Sequence, residues 1–340
     1  MRNILIYNKD QLKSLCRGCY DKAVNLFRKK IPLVHESKGD AFCDKTIFII
    51  RRGGNVGLFS YFLTALSGMK YAFDRGWLPV VDLQTQPNIY LESSEVGRVN
   101  AWEYYFEQPV GLSLADVSEA RDVLITKDFP WPELPPADVS FLRNKDRKLA
   151  YWRNFVSRHV RIKPHILSAV ADEERRIFGN HTDDVLGVFL RGTDYARLHP
   201  VNHTVQPTVE TAICDTCRLL EDCSCTRVFL VSEDKSIHAA FRRAFGDKLL
   251  VKEQNLVDYR GGYIGESVPD FRRDKERYLQ GLEYLMNILL LARCPNILAS
   301  RASGSIAVAL LEHIGQNVRY YDLGVYRRFG VSGGVEGGLS

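Results

Sequence analysis

The chain has 340 residues, 45% of them hydrophobic and 26% charged, with a formal net charge of +5. That length suits two domains of ordinary size, and the composition excludes a disordered protein. The mild positive balance suits an anionic ligand. It falls short of a nucleic-acid footprint, which needs basic residues clustered on one face, so no nucleic-acid partner is expected.

No apolar run is long enough to span a bilayer; a transmembrane segment is not expected, and peripheral membrane contact is compatible with the chain. Ile4-Leu5-Ile6 is followed by Asn8, Lys9 and Asp10, which does not read as a secretory signal. The simplest expectation is a cytoplasmic bacterial protein, with a luminal eukaryotic enzyme as the alternative. Residues 3–7 read as a short strand and 21–29 as a helix. Of the eight cysteines, Cys214, Cys217, Cys223 and Cys225 are closely spaced. Four thiolates can make a tetrahedral zinc site, but Cys214 and Cys217 sit in a helical pattern, so reduced, partly buried thiols are the default.

Thr46–Ile50 is a buried strand, followed by the loop Arg51-Arg52-Gly53-Gly54-Asn55-Val56-Gly57 and a helix to about Asp74. With the strand Leu78–Leu83 this forms a βαβ beginning. The glycines let backbone pass close to a ligand, placing Gly54 and Asn55 among candidate donor contacts. The aromatic stretch 100–106 could stack on sugar rings or close a core edge. A strand at 123–126, a proline-rich loop at 130–136, and helices at about 139–160 and 165–178 complete the first half. The boundary falls across 160–182, giving a first domain at 1–165, a second at 166–325 and a loose tail at 326–340.

From 185 onward strands and helices alternate: strands 185–190, 227–231, 248–251 and 296–299, with helices at about 208–220, 236–244, 277–293 and 304–314. That rhythm predicts a doubly wound parallel sheet. Polar groups follow the strand ends: Arg191, Thr193 and Asp194; Ser232, Glu233 and Asp234; Lys252 and Glu253; and Ser300 to Ser305. Arg offers a phosphate several donors in a fixed plane, and a hydroxyl-rich turn at a helix start is an anion site. Arg191 and Ser303, Gly304 and Ser305 would bracket a diphosphate. Glu233 and Asp234 could accept from ring and exocyclic N–H groups of a base, or cap a helix and no more. No D-x-D occurs, so neither a metal nor a cofactor is expected. The fold class is α/β, two Rossmann-like domains of GT-B type with helices on both faces of parallel sheets, suggesting a nucleotide-sugar glycosyltransferase.

Gly187-Val188-Phe189-Leu190-Arg191-Gly192-Thr193-Asp194 resembles the G-V-H-x-R-R-x-D peptide of the α1,2-, α1,6- and protein O-fucosyltransferase superfamily. Val228–Asp234 is similar to that superfamily's strand ending in T-D-D. Asn287–Cys294 with Ser300–Ser305 is similar to its helix with D-x-L-L-L-S and the serine-rich turn beyond it. Gly53–Leu58 resembles its G-x-G-N/F-x-x-Q loop, without the Gln. Phe189, Gly192 and Asn287 stand where that pattern has His, Arg and Asp. The resemblance implies a GDP-sugar donor, GDP-fucose first, in the second domain. It also implies a glycan acceptor between domains, inversion at the anomeric carbon and no required metal. By the same resemblance Arg191 would hold the β-phosphate and Asp194 would steady its loop. Glu233 and Asp234 would sit at the nucleoside, Ser303 to Ser305 at the diphosphate, and Asn287 among the donor contacts. Glu103 and His199 are the candidates for a general base from the cleft. Transfer from another GDP- or UDP-sugar, or binding without catalysis, are the alternatives.

Overall fold

The computed structural model describes residues 33–127, 147–179, 181–258, 261, 273–311, 316–327 and 330–332. The expected strand at 3–7, helix at 21–29, proline-rich loop at 130–136, and the beginning of the helix expected from 139 lie outside these.

The first sheet is built from β1 (Leu33–Glu36), β2 (Ala41–Arg51), β3 (Leu78–Asp82) and β4 (Ala120–Thr126), in the order β1-β4-β2-β3. β2 runs parallel to β3 and β4, whereas β1 is an antiparallel edge. Ile47 to Ile50 are all buried, so this central strand reads as a continuous apolar run, as a strand covered on both faces should. Helix α1 (Leu58–Phe73) follows the glycine loop. It is buried nearly all round because it packs on β2 on one side and on helices of the second half on the other. Helix α2 (Trp102–Tyr105) is a single turn carrying the buried Trp102 and Tyr105.

The second sheet contains β5 (Val185–Phe189), β6 (Arg227–Val231), β7 (Leu249–Leu250), β8 (Asn296–Ala299) and β9 (Asn317–Tyr320). They lie in the order β7-β6-β5-β8-β9, all parallel. The chain steps outward from β5 through β6 to β7, then returns to lay β8 on the other side of β5. That reversal is the topological switch at which open α/β sheets bind ligands. Side chains of β5 alternate between two helix layers. Leu186, Val188 and Leu190 pack with helices α6 (Val209–Asp222) and α7 (Lys235–Phe245). Gly187 faces helix α8 (Glu276–Leu291) on the other side. The expected α/β architecture of parallel sheets with flanking helices is therefore present in both halves.

Helices α3 (Arg147–His159), α4 (Pro164–Phe178) and α9 (Ser303–Leu311) complete the packing between the halves, with α3 on α9 and α4 on α8. Arg153 Nε donates to the Ala309 carbonyl at 2.7 Å. One apolar cluster runs from Phe48 and Phe62 of the first half to Phe189, Leu285 and Ile306 of the second. The two sheets thus share a core.

Several features depart from the sequence reading. A short helix α5 (Thr193–Leu198) starts directly after Gly192, and β9 adds an edge strand. The tail expected to be loose from 326 begins instead with a hairpin of β10 (Val325–Arg327) and β11 (Gly330–Ser332). Its Tyr326 carbonyl accepts from Asn202 N–H at 2.8 Å and its own N–H donates to the His203 carbonyl at 2.9 Å, which fixes the hairpin to the loop after α5.

A Cβ at Gly187 would stand 2.6 Å from Leu291 Cδ1 and 3.0 Å from Cys294 Cβ. Gly187→Ala is therefore expected to destabilise the protein by about 1–3 kcal/mol through overpacking beneath the central strand. Urea unfolding would show this as a lower midpoint, and an unchanged midpoint would mean that α8 shifts freely, contrary to this packing.

Candidate functional site

At the carboxyl edge of the second sheet the end of β5 meets three other elements. Ser300, directly after β8, ties two of them together: its N–H donates to the Phe189 carbonyl at 2.8 Å and its Oγ to the same oxygen at 3.1 Å. The same Oγ accepts the Arg191 backbone N–H at 3.0 Å. Arg191 is thereby held at the strand end with its side chain 19% exposed. Its Nη2 donates to Asp194 Oδ2 at 3.1 Å and its Nη1 to Glu233 Oε1, while the guanidinium lies 4.9 Å from the Tyr195 ring centre.

Burial works against the charge on Arg191, but the carboxylates of Glu233 and Asp194 outweigh it and hold the pKa above the ordinary arginine value. Burial raises the pKa of Glu233 despite the pull of Arg191. Asp194 is fully buried and also accepts the Tyr195 N–H at 2.8 Å. The Arg191–Asp194 spacing of three residues is what α5 provides, since its first turn folds Asp194 back over the strand end.

Arg191 and Glu233 line a cavity of about 80 Å³ between the halves. Gly57, Ile89 and Tyr90 reach it from the first half, and Glu276, Gln280, Glu283, Tyr284 and Asn287 from α8. Gln254 and Asn255 come from the segment after β7. Asn287 Nδ2 donates to Gln254 Oε1, and Asn255 Nδ2 lies 3.2 Å from both Glu276 oxygens. Behind this wall Arg273 clamps two carboxylates, donating to Glu276 at 2.9 Å and to Glu283 at 2.6 Å. The lining mixes aromatic and aliphatic walls with a few convergent polar groups, which is the composition of a small-molecule site.

Other candidates fall elsewhere. The Ser303–Ser305 turn, expected to bracket a diphosphate with Arg191, does not line this cavity. Ser305 Oγ accepts the Ala302 N–H at 3.0 Å and donates to the Ala302 carbonyl at 2.9 Å, locking its own turn. Ser303 Oγ stands 3.2 Å from Ser60 Oγ of α1, and Gly304 is packed beneath Tyr284 and Phe189. Tyr284 thus stands between the serine turn and the cavity that Arg191 lines.

Asp234 is buried as the N-cap of α7, where its Oδ1 accepts from Ser236 N–H at 2.8 Å and Ser236 Oγ at 2.6 Å. It caps a helix and is not part of the cavity wall. Thr193 opens α5. Gly54 adopts φ +93° and its carbonyl accepts the Tyr61 hydroxyl, Asn55 is exposed, and from this loop Gly57 is the residue that reaches the cavity.

Neither proposed general base lines the cavity that Arg191 lines. Glu103 accepts from Gln108 Nε2 at 2.8 Å and lines a separate groove of about 860 Å³ with Tyr104 and Tyr278. His199 ends α5 in the left-handed region and stacks on Tyr326 with ring centres 4.8 Å apart. The cysteines do not converge: Cys214 and Cys217 are exposed, correcting the expectation of partly buried thiols there, whereas Cys225 is buried. Among the described residues no three His, Cys, Asp or Glu side chains gather as a metal ion would need.

Of the polar face of α8 the sequence reading picks out Asn287 alone. Glu276, Gln280, Glu283 and Asn287 recur at helical spacing in an otherwise leucine-rich helix, and such a polar stripe on a buried helix signals a lined cavity.

No protein-family model matches the sequence, and no curated protein matches it. Solved structures do. The chain is similar to NodZ α-1,6-fucosyltransferase soaked with GDP-fucose, a protein also solved from Bradyrhizobium. That match has 16% identity and a TM-score of 0.47, and covers 82% of this chain and 94% of that one. It is similar to a variant of Arabidopsis thaliana FUT1 in complex with GDP (11% identity, TM-score 0.47, 92% and 76% covered). It is also similar to POFUT1 in complex with GDP (11% identity, TM-score 0.44, 84% and 98% covered). The likeness is one of fold, and the solved proteins named here are fucosyltransferases.

Proposed function

We propose that the protein is an inverting, metal-independent glycosyltransferase that moves fucose from GDP-fucose to a glycan hydroxyl. The observation that carries this reading is the seat of Arg191. A guanidinium stands at the carboxyl end of the central parallel strand, beside the switch point, in the wall of a cavity between two α/β halves. The sequence resemblance at 187–194, 228–234 and 287–305 supports the choice of a GDP-sugar.

The demanding step is departure of a nucleoside diphosphate as the anomeric carbon takes on oxocarbenium character. Arg191 would stabilise the negative charge that develops on the diphosphate, held in place by Ser300 and Asp194 so that it does not reorganise during the reaction. Gln254, Asn255 and Asn287 offer both donors and acceptors for a base. Of the carboxylates in the cavity wall, Glu276 and Glu283 are tied to Arg273 and Glu233 to Arg191.

The test is a panel of nucleotide sugars scored for release of nucleoside diphosphate, with and without a mixture of glycan acceptors. Turnover of GDP-fucose above the other donors is expected, and excess EDTA is expected to leave the rate unchanged. A preferred UDP-sugar would reassign the donor. A strict requirement for Mn²⁺ would contradict the metal-independent reading. Nucleotide binding without turnover of any donor would leave a binding protein on this fold.

A further inference from the structure

Arg191 presents its two terminal nitrogens to two different carboxylates, Nη1 to Glu233 and Nη2 to Asp194. A phosphate takes an arginine best through two parallel N–H bonds, and here each terminal nitrogen already gives one N–H to a carboxylate. The two carboxylates are not equivalent. Asp194 is completely buried, three residues from Arg191, and is fixed further by the Tyr195 N–H. Glu233 belongs to another strand end, is 30% exposed, and lines the cavity. Its backbone is anchored, since Val257 N–H donates to the Glu233 carbonyl at 2.9 Å, but its carboxylate extends freely from that anchor to Arg191.

The surroundings sharpen the conflict. Among the described residues four carboxylates (Asp194, Glu233, Glu276 and Glu283) stand with two guanidiniums, Arg191 and Arg273, and with the buried Lys252 ammonium near Glu283. A diphosphate reaching Arg191 meets the like charge of Glu233 there, and like charges set against each other at a binding surface oppose binding. The side chain of Glu233 reaches across the cavity wall to Arg191, where an incoming anion would lie.

We propose that Glu233 is an internal anion seated on Arg191, which a nucleoside diphosphate must displace, and that it thereby sets the affinity of the site for its donor. The inference rests on the donor-site reading above. Displacement needs one side chain to swing toward solvent while Asp194 continues to hold Arg191 in place. The site then exchanges one anion for another at a guanidinium that never loses its partner. Glu233 acts as a specificity-determining residue: ligands without a strong, bidentate anion do not compete with it.

The experiment is isothermal titration of the full chain with GDP and with inorganic pyrophosphate, for the wild type, Glu233→Gln and Glu233→Ala. Thermal melts check that each variant is folded. Glu233→Gln keeps the shape and removes the charge, and about tenfold tighter binding of both probes is expected, equivalent to about 1.4 kcal/mol. Glu233→Ala should tighten binding as well, which separates loss of charge from any new contact made by Gln. Equal or weaker binding by the folded Gln variant overturns the inference. If the wild type binds GDP in that case, the donor-site reading stands without it. If neither protein binds a nucleotide, both fall.

Discussion

Arg191→Ala is expected to lower donor turnover by about 10²–10³, the usual cost of removing one preorganised group that meets charge developing in a transition state. The size follows from position. The guanidinium is at the end of the central strand, its backbone N–H is held by Ser300, and its side chain is fixed by Asp194. The same substitution strands a fully buried Asp194, and breaking a buried pair by removing one partner commonly costs about 3–5 kcal/mol. Loss of activity in Arg191→Ala could therefore come from the fold. Arg191→Lys separates the two effects, because it restores a positive charge beside Asp194 but cannot present two nitrogens in one plane. A folded Lys variant with a turnover well below wild type is the expected result, read as kcat/KM for donor hydrolysis beside a thermal melt. Near-normal kcat/KM in Arg191→Lys would mean that a point charge suffices, and in Arg191→Ala that the site is elsewhere.

How much of this could be read from the sequence differs by residue, and the reason is range. Strands 227–231 and 296–299 were legible to the residue, because a run of apolar β-formers bounded by polar groups needs no knowledge of distant chain. Arg191 at a strand end was legible for the same reason. β1 was missed because four half-exposed residues, Leu-Val-His-Glu, carry little local signal. Its strand character comes from pairing with β4, about ninety residues away. The partners of Arg191 divide in the same way. Asp194, at i+3, could be anticipated from spacing, whereas Glu233 comes from the next strand end and becomes a partner through sheet order. The serine turn is a different case. Its composition suited an anion, but Ser303 and Ser305 make protein contacts that composition does not reveal. Glu103 and His199 were selected for residue type alone, and the fold sends them to other surfaces.

Arg273→Ala is expected to destabilise the protein by about 3 kcal/mol at neutral pH, the lower end of the cost of stripping one partner from a buried ionic cluster. Arg273 binds Glu276 and Glu283, two turns apart on α8, and these side chains are 6% and 14% exposed. Without its side chain Glu283 loses its bonds to Arg273, while Glu276 keeps two donors, the backbone N–H of residue 273 at 2.9 Å and Asn255 Nδ2. The effect should depend on pH, and its sign is fixed. Burial by itself would raise the pKa of Glu276, but the bonds from Arg273 and Asn255 outweigh it and hold the group below its ordinary value. A depressed carboxyl contributes stability that is fully present above its unfolded pKa, about 4.3, and is lost as pH falls through the folded value. The difference between wild type and Arg273→Ala should accordingly be largest near neutrality and shrink as the pH is lowered below about 4. Urea unfolding of both proteins at several pH values measures it. A difference that stays constant into acid would show that Arg273 acts through packing of its stem and not through its two carboxylates. In Glu276→Gln, which removes the titrating group but keeps Asn255 and Arg273 as neighbours, stability should lose the same acid dependence, and failure to do so would assign that dependence to another carboxyl.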